Sequence, residues 1–453
     1  MSRVLVLLLS TYDLGRQPFG LASPTAWLRD AGFEVVSVDL AKEAWPIDSV
    51  HNARLVALHL PMHTATRLAL SVIARVRAEN PSAHLCCYGL YAPLNDALLR
   101  SRGIGSVLGG EYEADLVALA RGLREAAPPR VGWPSASGVP RLSFRVPDRT
   151  GLPALSRYAT IQMGQDDRRV AGYTEASRGC RHRCRHCPVV PIYGGRFRVV
   201  EPDVVLADIG AQVAAGARHI TFGDPDFLNG PRHALAVARR IGREFPGITY
   251  DVTAKVEHLL RHAALLPALR DTGCVLVTSA FESVDDEVLA RLEKGHTRAD
   301  LARAVAVCRE AGLGLAPTFV AFTPWTTRAG YGELLRAIAE LDLIEAVAPI
   351  QLGIRLLVPE GSRMLELTEV RALVGPFDAG TLAYPWRHPD PAVDRLQAEV
   401  IDLVGRKPGA ARRELFEEVW RMAHEAAEPA PPAPQGTARP RATVPYLNEP
   451  WYC

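Results

Sequence analysis

The sequence lacks a long hydrophobic run near its start. Val4–Leu9 is an apolar stretch of six residues, and Ser10-Thr11-Tyr12-Asp13 follows it. That is too short for an export signal and far short of the roughly 20 residues a membrane helix needs. A cytoplasmic protein with no membrane partner is expected. A charge excess is also missing: 52 basic and 50 acidic residues leave a net +2, which argues against a nucleic-acid partner. Cysteine is scarce, with eight in 453 residues, and thiols in a reducing compartment do not build a disulfide framework. What is left is an ordinary globular composition, 48% hydrophobic and 23% charged. The length suits two or three domains of roughly 100–200 residues each.

Strand-like and helix-like segments alternate over residues 1–126. Strands are predicted at Val4–Leu9, Glu34–Asp39, Leu55–His59, His84–Tyr88 and Ser106–Leu108, with helical periodicity between them. Such alternation builds a doubly wound, Rossmann-like parallel sheet that binds ligands at the carboxyl ends of its strands. Residues 127–165 are rich in Pro, Gly and Ser and read as a linker. Alternation resumes over 166–365, with strands predicted at Gly172–Ser177, His219–Phe222, Thr249–Thr253, Val275–Ala280, Gly314–Phe322 and Ile350–Leu356. Six βα units predict a partial (β/α)6 barrel whose site lies at the strand carboxyl ends. A helical region over 366–428 and a Pro-rich segment with a cysteine-containing tail over 429–453 complete an α/β chain.

Three of the eight cysteines fall within eight residues, in Ser177-Arg-Gly-Cys180-Arg-His-Arg-Cys184-Arg-His-Cys187-Pro. A 4Fe-4S cluster takes one ligand per iron, so three thiolates leave one iron open to a substrate or cofactor. Arg178, Arg181, Arg183 and Arg185 flank the trio, and positive charge lowers thiol pKa. The alternative is structural zinc on Cys184, Cys187 and His182 or His186. Zinc modules, however, usually bring a second, distant ligand pair, and none follows. Cys86, Cys87, Cys274 and Cys308 sit in apolar surroundings and read as core residues.

C-x3-C-x2-C after the first strand of a six-unit barrel resembles the radical SAM superfamily. The resemblance implies a 4Fe-4S cluster on Cys180, Cys184 and Cys187, with S-adenosylmethionine (SAM) on the open iron. Phe222-Gly-Asp-Pro-Asp226 occupies the place of the family's Gly-Gly-Glu-like element, which makes Asp224 the first choice and Asp226 the second for the SAM amino group. Lys255 and Glu257 end the third strand, and Glu282 and Ser283 the fourth, where the family contacts SAM. Read without the resemblance, Asp224 and Asp226 are turn residues, Lys255 and Glu257 a surface pair, and Glu282 a helix cap. An electron donor such as flavodoxin or ferredoxin is the expected partner.

The amino-terminal domain resembles that of the cobalamin-binding subfamily, with Gly109-Gly110-Glu111 similar to its Gly-Glu element. The resemblance implies corrin contacts from Thr11, Tyr12, His59, His63, Thr64, Gly89, Tyr91 and Gly110. The lower-ligand motif Asp-x-His-x-x-Gly is absent. Pro445–Cys453 resembles the tail of a narrower family of radical SAM proteins, some of them selenoproteins, whose chains continue with Cys- or selenocysteine-Ala-Glu-Pro. That gives Cys453 a possible catalytic or metal-binding role. The expected activity is cobalamin-dependent methyl transfer to an unactivated centre. The alternatives are cobalamin-independent transfer of another SAM fragment, such as the aminocarboxypropyl group, and a zinc-stabilised binding protein.

Overall fold

A computed structural model describes residues 5–125, 142–424 and 444–448. The first sheet comprises β1 (Leu5–Ser10), β2 (Glu34–Asp39), β3 (Leu55–His59), β4 (His84–Tyr88) and β5 (Ser106–Leu108). All its pairings are parallel, in the order β2-β1-β3-β4-β5. Strands covered on both faces read as unbroken apolar runs, and every residue of β3 is buried. One face packs Val6, Leu8 and Cys86 against Leu21, Leu28 and Leu116. The other packs Leu7, Leu9 and Cys87 against Ala69, Ile73 and Val76. The adjacent Cys86 and Cys87 therefore fill opposite cores, as strand alternation requires. In this strand order the crevice opens beyond the carboxyl ends of β1 and β3, where the order reverses.

The barrel sheet contains β6 (Thr160–Gln162), β7 (Arg168–Thr174), β10 (His219–Phe222), β11 (Thr249–Thr253), β12 (Cys274–Glu282), β13 (Gly314–Phe319) and β14 (Tyr446–Asn448). A separate two-stranded ribbon, β8 (Ser177–Gly179) with β9 (Phe197–Val199), carries the cysteine loop between its arms. The barrel order is β13-β12-β11-β10-β7-β6-β14. β7 and β10 to β13 run parallel, whereas β6 and β14 add antiparallel at one edge. Two of these strands fall where none is predicted: β6 lies in the linker and β14 in the tail.

The first predicted barrel strand, Gly172–Ser177, is divided between β7 and β8 by Glu175 and Ala176. The predicted sixth strand, Ile350–Leu356, forms a 3-10 turn at Pro349–Leu352 and then a single parallel bridge, Phe322↔Arg355. The reason is local. Gln351 Oε1 accepts the Phe319 N–H at 2.9 Å, taking a donor that a longer strand would have paired. Helices Pro391–Arg406 and Arg412–His424 close the barrel with Val400, Leu403, Phe416 and Trp420 in its core. Among the described residues no helix is long and apolar enough to cross a membrane.

Candidate active site

The cysteine loop starts from a glycine that no other residue replaces easily. Gly179 has φ +74°, and a Cβ there would meet Arg196 O at 2.5 Å. The loop is clamped at several points. Cys187 N donates to Cys184 O at 3.2 Å and Arg185 N to Leu292 O at 3.0 Å, while Arg185 Nη2 pairs with Glu293 at 2.7 Å. Arg185 thus anchors the loop, and Arg181 lies over the Phe197 ring. Burial pushes Cys187 up to about 12 and also raises Cys180. The buried cation whose charge reaches Cys184 and Cys187 is Lys294.

The strand-end acids have distinct surroundings. Asp224 Oδ1 accepts Ala176 N at 2.8 Å and its Oδ2 accepts Ser177 Oγ at 2.5 Å. Burial outweighs those two bonds and pushes its carboxyl up to about 7. Asp224 therefore pins the β7–β8 junction, while Asp226 faces the loop. Cys180 Sγ, a His182 ring nitrogen and an Asp226 carboxylate oxygen lie within 4.8 Å of one another. Lys255 Nζ lies 3.0 Å from His182 Nδ1 and 3.5 Å from Glu257 Oε2. Glu282, at φ +66°, joins His186 at 3.1 Å and Lys294 at 3.2 Å through one oxygen. Burial opposes its charge, yet Lys294 and His186 hold its carboxyl at about 2. It does not cap the next helix; Asp285 does, accepting Glu287 N at 2.8 Å. Ser283 Oγ accepts Asp285 N at 3.1 Å in the same turn.

A cleft of about 220 Å³ separates the carboxyl ends of the two sheets. His59, Gly89 and Gly110 line it from one side, and Tyr173, Ser177 and Gly179 from the other. Of the residues expected at a corrin, Thr11, Tyr12, His63, Thr64 and Tyr91 are not part of this lining. Thr11 Oγ1 donates to Ala65 O at 2.8 Å, and His63 Nε2 meets Thr381 O at 2.5 Å. Burial, with Arg178 nearby, lowers the His59 imidazole to about 3. Its Nδ1 is buried without a hydrogen-bond partner.

The role missed from sequence is that of Arg178, which the sequence reading takes only as one of four charges around the thiols. Its buried guanidinium binds Glu111 at 3.0 Å, Glu113 at 2.7 Å and Glu175 at 2.7 Å. It ties the first domain to the strand that leads into Cys180. The available signal was the acidic pair Glu111-x-Glu113 at the start of a helix; Arg178 itself stands among several arginines and is not singled out by the sequence. Three carboxylates around one cation exceed its charge. Burial therefore raises Glu111 to about 7 from 4.5, Arg178 opposing and Glu113 reinforcing the shift. A carboxyl raised on folding stabilises the protein below its unfolded pKa and loses that contribution as pH climbs through the folded value. Glu111→Gln should flatten the dependence of the denaturant midpoint on pH between 4.5 and 7. An unchanged slope would refute this role.

Residues 174–324 match the Radical SAM superfamily. The chain carries a radical SAM domain. The matched stretch runs from the end of β7 past β13 and contains the cysteine loop, Asp226, Lys255 and Glu282. Such a domain implies a 4Fe-4S cluster and SAM, and three thiols on one clamped loop suit a three-ligand cluster. Cys453 lies outside both the matched stretch and the described residues.

A tRNA-2-methylthio-N(6)-dimethylallyladenosine synthase of Desulfosudis oleivorans is 28% identical over 211 residues, which are 45% of this chain and 44% of that enzyme. The chain therefore spans under half the length of that curated relative. TsrM, a radical S-adenosylmethionine methyltransferase from Kitasatospora setae solved with cobalamin and a 4Fe-4S cluster, superposes with a TM-score of 0.67. The match has 19% identity and covers 94% of this chain and all of that one. OxsB, a cobalamin-dependent S-adenosylmethionine radical enzyme solved with aqua-cobalamin, gives a TM-score of 0.69 at 14% identity, covering 90% of this chain and 67% of that one. At these identities the likeness is one of fold: the radical SAM domain and the sheet ahead of it share an arrangement with both enzymes.

Proposed function

We propose that this protein is a cobalamin-dependent radical SAM methyltransferase acting on an unactivated carbon or phosphorus centre. The observation that carries the reading is the continuity of the cleft. Gly179, the residue before Cys180, and the sheet-end residues His59, Gly89 and Gly110 line one cavity. Its aromatic walls, its sheet-end glycines and the unpartnered His59 nitrogen suit a large planar cofactor with polar edges. When bound, SAM at the cluster supplies a carbon-centred radical and cobalamin supplies a methyl group.

The chain's own residues would hold and shield these groups. Cys180, Cys184 and Cys187 ligate the cluster. Asp226, with Lys255 and Glu257 beside it, receives the charged methionine end of SAM. Lys294 offsets the negative charge of the thiolates, and Glu282 fixes Lys294. His59 stays neutral at physiological pH and offers a lone pair to the cleft. Arg178 keeps the two sheet ends together and so excludes water from the reacting centre. An external donor such as flavodoxin or ferredoxin delivers the electron.

Anaerobic purification followed by corrin, iron and product analysis tests the reading. Bound corrin, with 5′-deoxyadenosine and S-adenosylhomocysteine formed together, is the expected result. Methylthioadenosine without corrin would instead mean transfer of the aminocarboxypropyl group.

A further inference from the structure

The surroundings of Asp226 carry a second metal chemistry. Its Oδ2 lies 2.7 Å from His258 Nδ1 and 3.6 Å from His182 Nε2. The two imidazoles lean together with ring centroids 4.6 Å apart. The 2.7 Å approach is poorly aligned for a hydrogen bond, so Asp226 Oδ2, His258 Nδ1 and His182 Nε2 are buried with only one another as ionic partners. Asp226 is 1% exposed and His258 5%. Buried polar atoms normally find partners; here Asp226 and His182 lie within 4.8 Å of the Cys180 thiol, and His258 reaches Asp226 from the far side.

Thiolate, two imidazoles and a carboxylate form a borderline donor set of the kind zinc takes with tetrahedral geometry. Bonds of roughly 2.0–2.3 Å place tetrahedral donors roughly 3.3–3.8 Å apart. The His182–Asp226 separation of 3.6 Å fits that range; His258 must withdraw slightly from Asp226 and swing in to join the three donors already grouped there. Metal-bound histidines usually donate their second N–H to a carboxylate. His182 Nδ1 has Glu257 Oε2 at 3.6 Å, while Lys255, now at 3.0 Å from Nδ1, can remain paired with Glu257. Charge differs along the loop: at this corner the Lys255 ammonium beside His182 is offset by Glu257. Cys180 faces Asp226, whereas Cys184 and Cys187 face the Lys294 ammonium, which repels a bare dication.

We infer that Cys180, His182, Asp226 and His258 form a mononuclear site for a zinc-like divalent ion in the cluster-free protein. The cluster and this ion exclude each other because both need Cys180. This differs from zinc on Cys184, Cys187 and His186, since His186 is engaged by Glu282. The exclusion rests on the cluster reading proposed above, whereas the site itself does not.

The test uses the full chain, stripped of metal anaerobically and titrated with zinc against a chromophoric chelator. One ion per chain is expected. Asp226→Asn and His258→Gln should each weaken it at least about tenfold, while Cys184→Ala and Cys187→Ala retain it. Zinc-loaded wild-type protein should fail to develop cluster absorption on reconstitution, and Asp226→Asn should develop it despite added zinc. Cobalt(II) absorption of a tetrahedral thiolate site, measured on the same variants, separates lost ligation from lost folding. Absence of zinc binding, or its loss in Cys184→Ala, overturns the site. Zinc binding with no cluster formed under any condition overturns the cluster reading and leaves the site standing.

Discussion

Replacing Arg178 with methionine should destabilise the protein by about 3–5 kcal/mol, the usual result of removing one partner of a buried ion pair. The size follows from what stays behind. Glu111 and Glu113 have side chains with no exposure at all, and Glu175 lies half-buried beside them. Without the guanidinium they must take up protons or open the junction to water. The defect should therefore deepen as pH rises, because protonation relieves it at low pH. Stacking is lost as well, since the guanidinium lies 5.6 Å from the Phe19 ring centroid and 5.8 Å from that of Tyr112. Denaturant unfolding of Arg178→Met measures the cost. Combining it with Glu111→Gln and Glu113→Gln should recover much of it, as neutral replacement of a buried ionic group often does. A single variant within about 0.5 kcal/mol of wild type, the range of ordinary surface changes, would mean that the cluster contributes nothing to holding the domains together.

The second large effect concerns the cysteine loop. Cys180→Ala, Cys184→Ala or Cys187→Ala should each bring iron content and visible cluster absorption after anaerobic reconstitution down to background. The matched controls are Cys86→Ala, Cys274→Ala and Cys308→Ala. These thiols are free and buried in the cores, away from the loop. The controls should lose stability through the cavity left behind but keep full iron content. Any control that loses the cluster, or any loop variant that keeps it, would reassign the ligands.

Much of this was legible in the amino-acid order, and the exceptions share a cause. β2, β3, β4, β5, β10 and β11 begin and end where periodicity and β-branched runs place them, because each lies inside a core and its pattern has one explanation. β6 and β14 escaped notice. They have three residues each and lie in Pro-rich stretches outside the strand–helix alternation that marks the equally short β5, so only their pairing makes them strands. The sixth barrel strand was over-read because an apolar run does not reveal that a glutamine side chain takes the neighbouring strand's donor. In the site, the thiols announce themselves by spacing. The sequence ranks Asp224 ahead of Asp226, since nothing in it shows that the first of two carboxylates flanking one proline bonds the β7–β8 junction. Arg178 pairs with glutamates from another domain, a contact that no local window contains.

The edge strand β14 has a consequence for how the chain reaches this structure. Tyr446, Leu447 and Asn448 pair with Gln162, Ile161 and Thr160, so one border of the barrel sheet waits for residues made near the end of the described chain. At synthesis rates of about 5–20 residues per second, the first sheet, complete by Leu108, has many seconds to fold before that partner emerges. During this interval β6 presents an open edge, the kind of surface that recruits foreign strands. Translation speed and chaperone supply, rather than final stability, should then set how much of the protein is recovered intact from a fast-expressing host.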